Sequence, residues 1–360
     1  GVSKDGLIPP KQKDADTSIY NVFYRDDFIF NPARMELNSI AINDMYDRAI
    51  CSSLYEVFYV HRTDLLLPHY LKLIIRQKWF TRYCEFLGQG SAREYCRFGN
   101  ISEIEIEFPP IEEQQKIVDY NTAIENRIAL KQKINDNLFA TVNVFFTEKF
   151  SHFLHEDMRN MPNYVQLKNF IKIKHGYAFD GEQFSETKTS KILVSPGNFK
   201  IGGGFQNNKP KFYNEKAEYK TDYILEPGSL VVTMTDLSKN GDTLGFPAII
   251  PNDKQLTFLH NQRVGLVELV NNIYPKAFIY FLMCSNDYRN YILATASGTT
   301  VRHTSPDKIL GYGFLAPDNR SDLMLLNRLY EAYLSDCDTL NIEIQRLTEL
   351  QATLLSKMVY

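Results

Sequence analysis

Two stretches of the chain repeat apolar residues at every third or fourth position. Over residues 111–150, Ile117, Tyr120, Ile124, Ile128, Ile134, Leu138, Val142, Phe145 and Phe146 fall on one stripe, with no Pro or Gly inside it. That period predicts an amphipathic helix, of about 40 residues and roughly 60 Å at 1.5 Å per residue. It starts in "FPPIEEQQKIVDY" (108–120), where Pro110 costs no hydrogen bond and Glu112 and Glu113 favour the positive helix end. Residues 318–360 repeat the pattern behind "FLAPDNRSDLMLLNRLY" (314–330), through Leu326, Tyr330, Tyr333, Cys337, Leu340, Ile344, Leu347, Gln351, Leu354 and Met358. Asp318 serves as cap and Asp322 adds charge to the first turn. Neither stripe can be left in water, so the two helices are expected to pair as an antiparallel coiled coil.

Between these stripes the pattern is short, β-branched and broken by Gly, Pro or Asn, as in "SLVVTM", "GFPAII", "RVGLVEL", "FIFNPA" and "YEVFYV", which predicts strands. The segments also align in pairs. "LLPHYLKLIIRQKWFTRYCEF" (66–86) matches "IYPKAFIYFLMCSNDYRNYIL" (273–293), each predicting one helix after a proline. "GQGSAR" (88–93) falls opposite "ASGTTVR" (296–302), and "ISEIEIEFPP" opposite "KILGYGFLAP", both strand-like. "YRDDFIFNPAR" (24–34) parallels "EPGSLVVTMTD" (226–236), and "ICSSLYEVFYV" (50–60) parallels "FLHNQRVGLVEL" (258–269). The offsets cluster near 207 residues, the period of a duplicated domain. The expected fold is α+β: two repeated β-rich modules, residues 1–110 and 151–317, separated by long helices at 111–150 and 318–360. "GVSKDGLIPP" resembles "VSPGNFKIGG" (194–203), and the chain starts at Gly1 without Met, so the first module is expected to lack roughly its first 40 residues.

Composition narrows the function. At 44% hydrophobic and 23% charged, the 360 residues are globular, and two cores are affordable. No apolar run reaches a membrane-spanning length and no export signal is evident, which points to the cytoplasm. The five cysteines (51, 84, 96, 284, 337) show no zinc spacing and read as reduced, buried thiols. The net charge of −3 hides a local excess: residues 151–310 hold 18 Lys+Arg against 15 Asp+Glu, whereas 318–360 hold 4 against 7. A polyanion would therefore sit on the modules rather than on the helices.

Catalytic signatures are absent. There is no phosphate loop, H-E-x-x-H or G-x-S-x-G. "GNFKIGGGF" (197–205) is not followed by a periodic helix and reads as a bulged turn. "NPAR" (31–34) lacks the second proline and the aromatic ring of an amino-methyltransferase motif. His152 and His155, at i and i+3, read as solvated or capping groups.

The chain resembles the specificity subunit of Type I restriction–modification systems over nearly its whole length. "IEIEFPPIEEQQKIVDYNTAIENRI", "FIFNPARMELNSIAI…ICSSLYEVF", "HNQRVGLVEL" and "ASGTTVRHTSPDKIL" carry the resemblance; "LAPDNRSDLMLLNRL" departs from it, lacking the double proline and Glu-Glu-Gln run. The resemblance implies two target recognition domains, each reading half of a bipartite, asymmetric sequence in double-stranded DNA. The helices would space them and dock two modification (methyltransferase) subunits, which bind S-adenosylmethionine; restriction subunits would join the larger complex. The chain itself would bind no cofactor or metal and catalyse nothing. A rod of about 60 Å suits readers one and a half to two DNA turns apart.

Base reading needs forked or amide side chains and methyls on loops. The candidates in the second module are Thr233, Thr235, Ser238, Lys239, Asn240, Asn261, Gln262, Arg263, Thr299, Thr300, Arg302 and His303. In the first they are Asn31, Arg34, Asn38, Ser91, Arg93 and Arg97. Lys168, Lys172, Lys174 and His175 form a strip suited to phosphate, Lys172 and Lys174 foremost. Competing readings are a Type IIB or IIG-like specificity subunit, a methyltransferase or nuclease with divergent motifs, and a protein-binding scaffold. Neighbouring genes separate the first, S-adenosylmethionine binding the second, and failure to shift DNA at low salt the third.

Overall fold

The structure, a computed structural model, describes residues 18–88, 95–154, 158–208 and 210–357. The first module runs through β1 (Asn21–Tyr24), β2 (Phe28–Phe30), β3 (Ile40–Ile42), β4 (Arg48–Cys51), β5 (Glu56–Phe58), α1 (Pro68–Ile75), α2 (Lys78–Gly88) and α3 (Phe98–Ile101). The long α4 (Ile111–Phe150) follows. The second module has β6 (Tyr164–Gln166), β7 (Ile171–His175), β8 (Phe184–Ser185), β9 (Lys191–Val194), β10 (Phe212–Tyr213), β11 (Ile224–Leu225) and β12 (Leu230–Thr233). After these come β13 (Thr235–Asp236), β14 (Pro247–Ile249), β15 (Thr257–His260), β16 (Val264–Leu269), α5 (Lys276–Cys284), α6 (Asn286–Thr295), β17 (Arg302–His303), α7 (Pro306–Leu310) and β18 (Gly313–Leu315). The chain's last helix is α8 (Arg320–Ser356). It divides into two compact units, 1–132 with 342–360, and 133–341, so the division falls inside both long helices.

In the first unit, β2 lies between β3 and β5, and β1 pairs with β4, all antiparallel. Phe28, Phe30, Met35 and Ile42 from the sheet side meet Ile75, Phe80, Cys84 and Cys96 in one core. Gln114, on the first turns of α4, is fully buried. Its Oε1 accepts from Leu67 N at 2.9 Å, and its Nε2 donates to Leu65 O at 2.7 Å and Pro109 O at 2.8 Å. One side chain thus satisfies the start of α1 and the chain entering α4, closing groups that a helix start leaves open. Further along, Gln351 Nε2 donates to Asn121 Oδ1 at 3.0 Å, and Lys131 pairs with Glu343. Residues with rising numbers on α4 meet falling numbers on α8, the antiparallel pairing.

In the second unit the main sheets are β14-β12-β16-β7, all antiparallel, and β11-β15-β9-β10-β8, with β15 parallel to β9. α5 is buried along nearly its whole length and packs its rings against Phe139 and Phe146 of α4 and Tyr330 of α8. Asn135 and Asn341 continue the helix pairing at 3.4 Å. "GNFKIGGGF" is a tight turn: Phe199 bridges Phe205, and a Cβ on Gly203 would lie 2.5 Å from Cys284 Sγ.

The duplication is visible in the topology. The order β3-β2-β5 recurs as β14-β12-β16, with Ala41, Ile29 and Val57 in register as Ala248, Val231 and Leu266 are. The β1–β4 pair recurs as β11–β15. Elements β6 to β10 have no counterpart among the described residues of the first module.

Three expectations need correction. The single helices expected near 68–86 and 275–293 are each two, α1 with α2 and α5 with α6. In the second case Ser285 leaves the helical conformation and its Oγ caps α6 through Tyr288 N. "ISEIEIEFPP" is not a strand, whereas β18 in the matching "KILGYGFLAP" is, because β18 pairs with β6 and the described residues of the first module show no β6 equivalent. The apolar stripe of α4 is also misdrawn: Tyr120 and Ile134 are exposed, while buried Asn121 and half-buried Lys131 and Asn135 occupy the seam. On α8 the stripe runs as expected as far as Leu354, and Met358 lies outside the described residues. All five cysteines are free thiols, Cys84 and Cys96 fully buried.

Candidate nucleic-acid interface

The candidates of the second module come from three segments that the fold knits together. β13 pairs with β17, setting Thr235 opposite His303 and Asp236 opposite Arg302. Met234 N donates to Arg263 O at 2.9 Å, and Thr304 N to Met234 O at 3.0 Å, so 234–243, 261–263 and 297–303 share one framework. Each segment is a turn held from within. Asn261 Oδ1 accepts from Arg263 N at 3.0 Å. Ser297 and His303 exchange backbone bonds at 2.9 and 2.8 Å, closing the loop that carries Thr299 and Thr300. Gly298 sits there at φ +86, where any Cβ would lie 2.0 Å from Val301 O.

Asp236 organises the longest loop. Its carboxylate accepts from Ser238 N at 2.6 Å, Thr243 N at 2.5 Å and Thr243 Oγ1 at 2.6 Å. Burial pushes its carboxyl up, but the hydrogen bonds from Thr243 and Ser238 outweigh burial and hold it below the usual range. Arg289, from α6, donates to Leu244 O and Gly241 O and lies 4.7 Å over the Phe246 ring. The loop tip, with Lys239 and Asn240 exposed, is therefore clamped from both sides. Arg302 Nε donates to Lys239 O at 3.2 Å, tying the tip to β17.

Exposure sorts the candidates. Lys239, Asn240, Gln262, Arg263, Thr299 and Thr300 are exposed, and no hydrogen bond or ion pair to another described residue engages their side chains. His303 is exposed, with Nδ1 3.2 Å from Thr235 Oγ1. Thr233 and Thr235 are buried, and the Thr233 hydroxyl donates to Thr235 O at 2.9 Å. Ser238 is half-buried, its Oγ accepting from Asp242 N at 2.7 Å. These three build the loop that the others decorate: a strand that alternates into a core cannot present every hydroxyl outward. Lys168, Lys172, Lys174 and His175 are exposed, the last three on β7. Lys174 Nζ lies 3.3 Å from Asp222 O.

In the first module, Asn31, Arg34 and Asn38 belong to one 3₁₀ turn, Pro32–Leu37. Asn31 caps it through Ala33 N at 3.1 Å. Asn38 closes it in the left-handed region, its Nδ2 donating to Ile75 O at 3.1 Å. Arg34 is exposed between them. Cys96 N donates to Pro32 O at 3.0 Å, which brings Arg97 to the same turn. Arg97 lies 5.7 Å over the Tyr95 ring and 3.4 Å from Glu56 Oε1. Ser91 and Arg93 lie outside the described residues, as does His155. Residue types alone do not mark Asp236, which holds its own loop through Ser238 and Thr243, or Arg289, whose partners are carbonyls far away along the chain.

Exposed Arg, Lys, Asn, Gln and Thr side chains gather on loops of a duplicated α+β module, the side-chain types that base and phosphate contacts use. Residues 16–139 match the family model of the Type I restriction modification DNA specificity domain. Over those residues the chain is similar to that domain. No curated protein matches its sequence. Among solved structures it is similar to the Type-I restriction-modification system S subunit from M. genitalium, at 14% identity over 95% of this chain and 84% of that one, with a TM-score of 0.52. It is also similar to a chain from work on complex assembly and conformational transition of the type I R-M system (15% identity, 94% and 82% covered, TM-score 0.41). A third similar structure is the HsdS subunit from Thermoanaerobacter tengcongensis (15%, 94% and 81%, TM-score 0.34). The first of these likenesses shows a shared fold.

Proposed function

We propose that the chain acts as the DNA-specificity subunit of a Type I restriction–modification complex, each module reading one half of a bipartite asymmetric site. The reading rests above all on the specificity-domain match over 16–139, together with the recurrence of the same strand order in the second module. The exposed side chains at 239–240, 262–263, 299–300 and 303 contact bases or phosphates of one half-site. Arg34 and Arg97 do so for the other, along with Ser91 and Arg93. Thr233, Thr235 and Ser238 shape the loop.

The paired helices set the spacing and dock two modification subunits, on which S-adenosylmethionine is bound; restriction subunits complete the assembly. The chain reads and positions, and its partners carry the chemistry. Among the described residues no helix is long and apolar enough to cross a membrane, and the proposed place of action is the cytoplasm, beside its DNA. Methylome sequencing of a host with and without the gene tests this. A methylated bipartite motif that vanishes with the gene is expected; an unchanged methylome overturns the reading.

A further inference from the structure

Beside the 261–263 turn lies a surface that base-reading logic does not call on. Tyr177 and Tyr223 have ring centroids 5.2 Å apart at 36°, and Phe179 meets Tyr177 edge-on at 5.3 Å. Two lysines stand over this floor: Lys174 Nζ is 5.5 Å from the Tyr223 centroid, and Lys220 Nζ is 5.6 Å from that of Tyr177. Both lysines are exposed, and among the described residues neither ammonium pairs with a carboxylate. Tyr177 is 37% exposed.

The floor is rigidly continuous with the turn. Tyr177 N donates to His260 O at 2.8 Å, and Gln262 N donates to Tyr177 O at 2.9 Å. Beneath it, buried His260 donates through Nε2 to Val264 O at 2.8 Å. Exposed Lys172, opposite Glu268 on β16, and exposed His175 continue the polar edge along β7.

We propose that the Lys174–Tyr223–Tyr177–Lys220 surface is a phosphodiester-binding site, which grips the DNA backbone flanking the bases that Asn261, Gln262 and Arg263 face. The proposal rests on the DNA-reading function above. Two ammonium groups without a carboxylate partner among the described residues, Lys174 Nζ donating only to Asp222 O at 3.3 Å, supply the charge a phosphate needs. The tyrosine faces hold the lysine stems and offer apolar area to deoxyribose, and their hydroxyls can donate to phosphate oxygens. Because phosphates are the same at every step, this site adds affinity and register but no sequence information.

The test uses the full chain assembled with its modification subunits, and a duplex selected by that complex from a random-sequence pool. For Lys174→Gln/Lys220→Gln, affinity should fall about tenfold or more near 0.15 M salt, equally for selected and scrambled duplexes. The slope of log affinity against log salt should shrink by about 0.9 for each lysine, and the selected consensus should stay the same. Tyr177→Ala should weaken both duplexes, and Tyr177→Phe should recover most of the loss. Unfolding is checked by thermal melting; if the double variant melts early, Lys220→Gln alone, at an exposed position, carries the comparison. An unchanged slope and affinity, or an altered consensus, overturns the proposal. If the unsubstituted complex selects no sequence at all, the DNA-reading function itself fails.

Discussion

His260 shows how a single residue beneath the candidate surface couples its integrity to pH. The imidazole is buried, and burial lowers its pKa from 6.5 to about 4, with the charges of Lys174 and His175 adding to the effect and the Val264 carbonyl opposing it. Between those two pH values the unfolded chain binds a proton that the folded chain does not. Stability is therefore unaffected above pH 6.5 and is lost as pH falls from there towards 4. The loss should total about 3 kcal/mol at the lower end. Denaturation series across this range should show the decline, and His260→Gln, whose amide can still donate to Val264 O, should flatten it. A variant with the same decline would place the titrating group elsewhere. His260 is also an instance of what sequence does not disclose. Residue type marks Gln262 and Arg263 as candidate readers, because forked donors announce themselves. The buried imagery of a site does not: Asp236, Arg289 and His260 act on backbone groups, and any polar residue could do that.

At the scale of elements, the junction "FPPIEEQQ" holds more than a helix start. The prolines and Glu112–Glu113 are legible as a stop and an N-terminal charge, but Gln114 reads as one more polar residue of the first turns. Its burial follows from where α1 begins, which only the packed fold defines. The second module makes the same joint with different residues. There Arg320 donates to Ile273 O at 3.0 Å, and Tyr274 Oη donates to Pro317 O at 3.3 Å, the phenol kept protonated by burial, which pushes its pKa up to about 12. This explains why the second junction departs in sequence while keeping its period: the joint needs donors at two carbonyls, not a particular motif. Gln114→Ala should cost about 2–4 kcal/mol, since it leaves a buried N–H and two carbonyls unpaired. Gln114→Glu should be no better, because a carboxylate can accept from Leu67 N but cannot donate to Leu65 O and Pro109 O. Urea denaturation of the three proteins checks the order, and a Glu variant as stable as the original would refute the assigned donor role.

At the scale of the whole molecule, what sequence discloses is the repeat and what it hides is the seam. Offsets near 207 residues are set by chain length between equivalent elements, so they survive divergence, and β3-β2-β5 recurring as β14-β12-β16 follows from them. The seam is different. Asn121 with Gln351, Lys131 with Glu343 and Asn135 with Asn341 interrupt the apolar stripe, and an apolar count passes over them. Polar pairs inside a coiled coil fix register at some cost in stability, because any slip leaves them unpaired. That constraint decides how the proposed spacing role can be tested. Inserting three or four residues within 121–140 alone rotates the seam and mismatches these pairs. Inserting seven, two turns that preserve the heptad, in α4 and at the facing position of α8 keeps every pair. Such an insertion lengthens the pair by about 10 Å, or about three base pairs of DNA. Methylation mapping should then show the gap between half-sites longer by about three base pairs, with both half-site sequences unchanged. Altered half-site bases with an unaltered gap would mean that the helices do not measure the spacing.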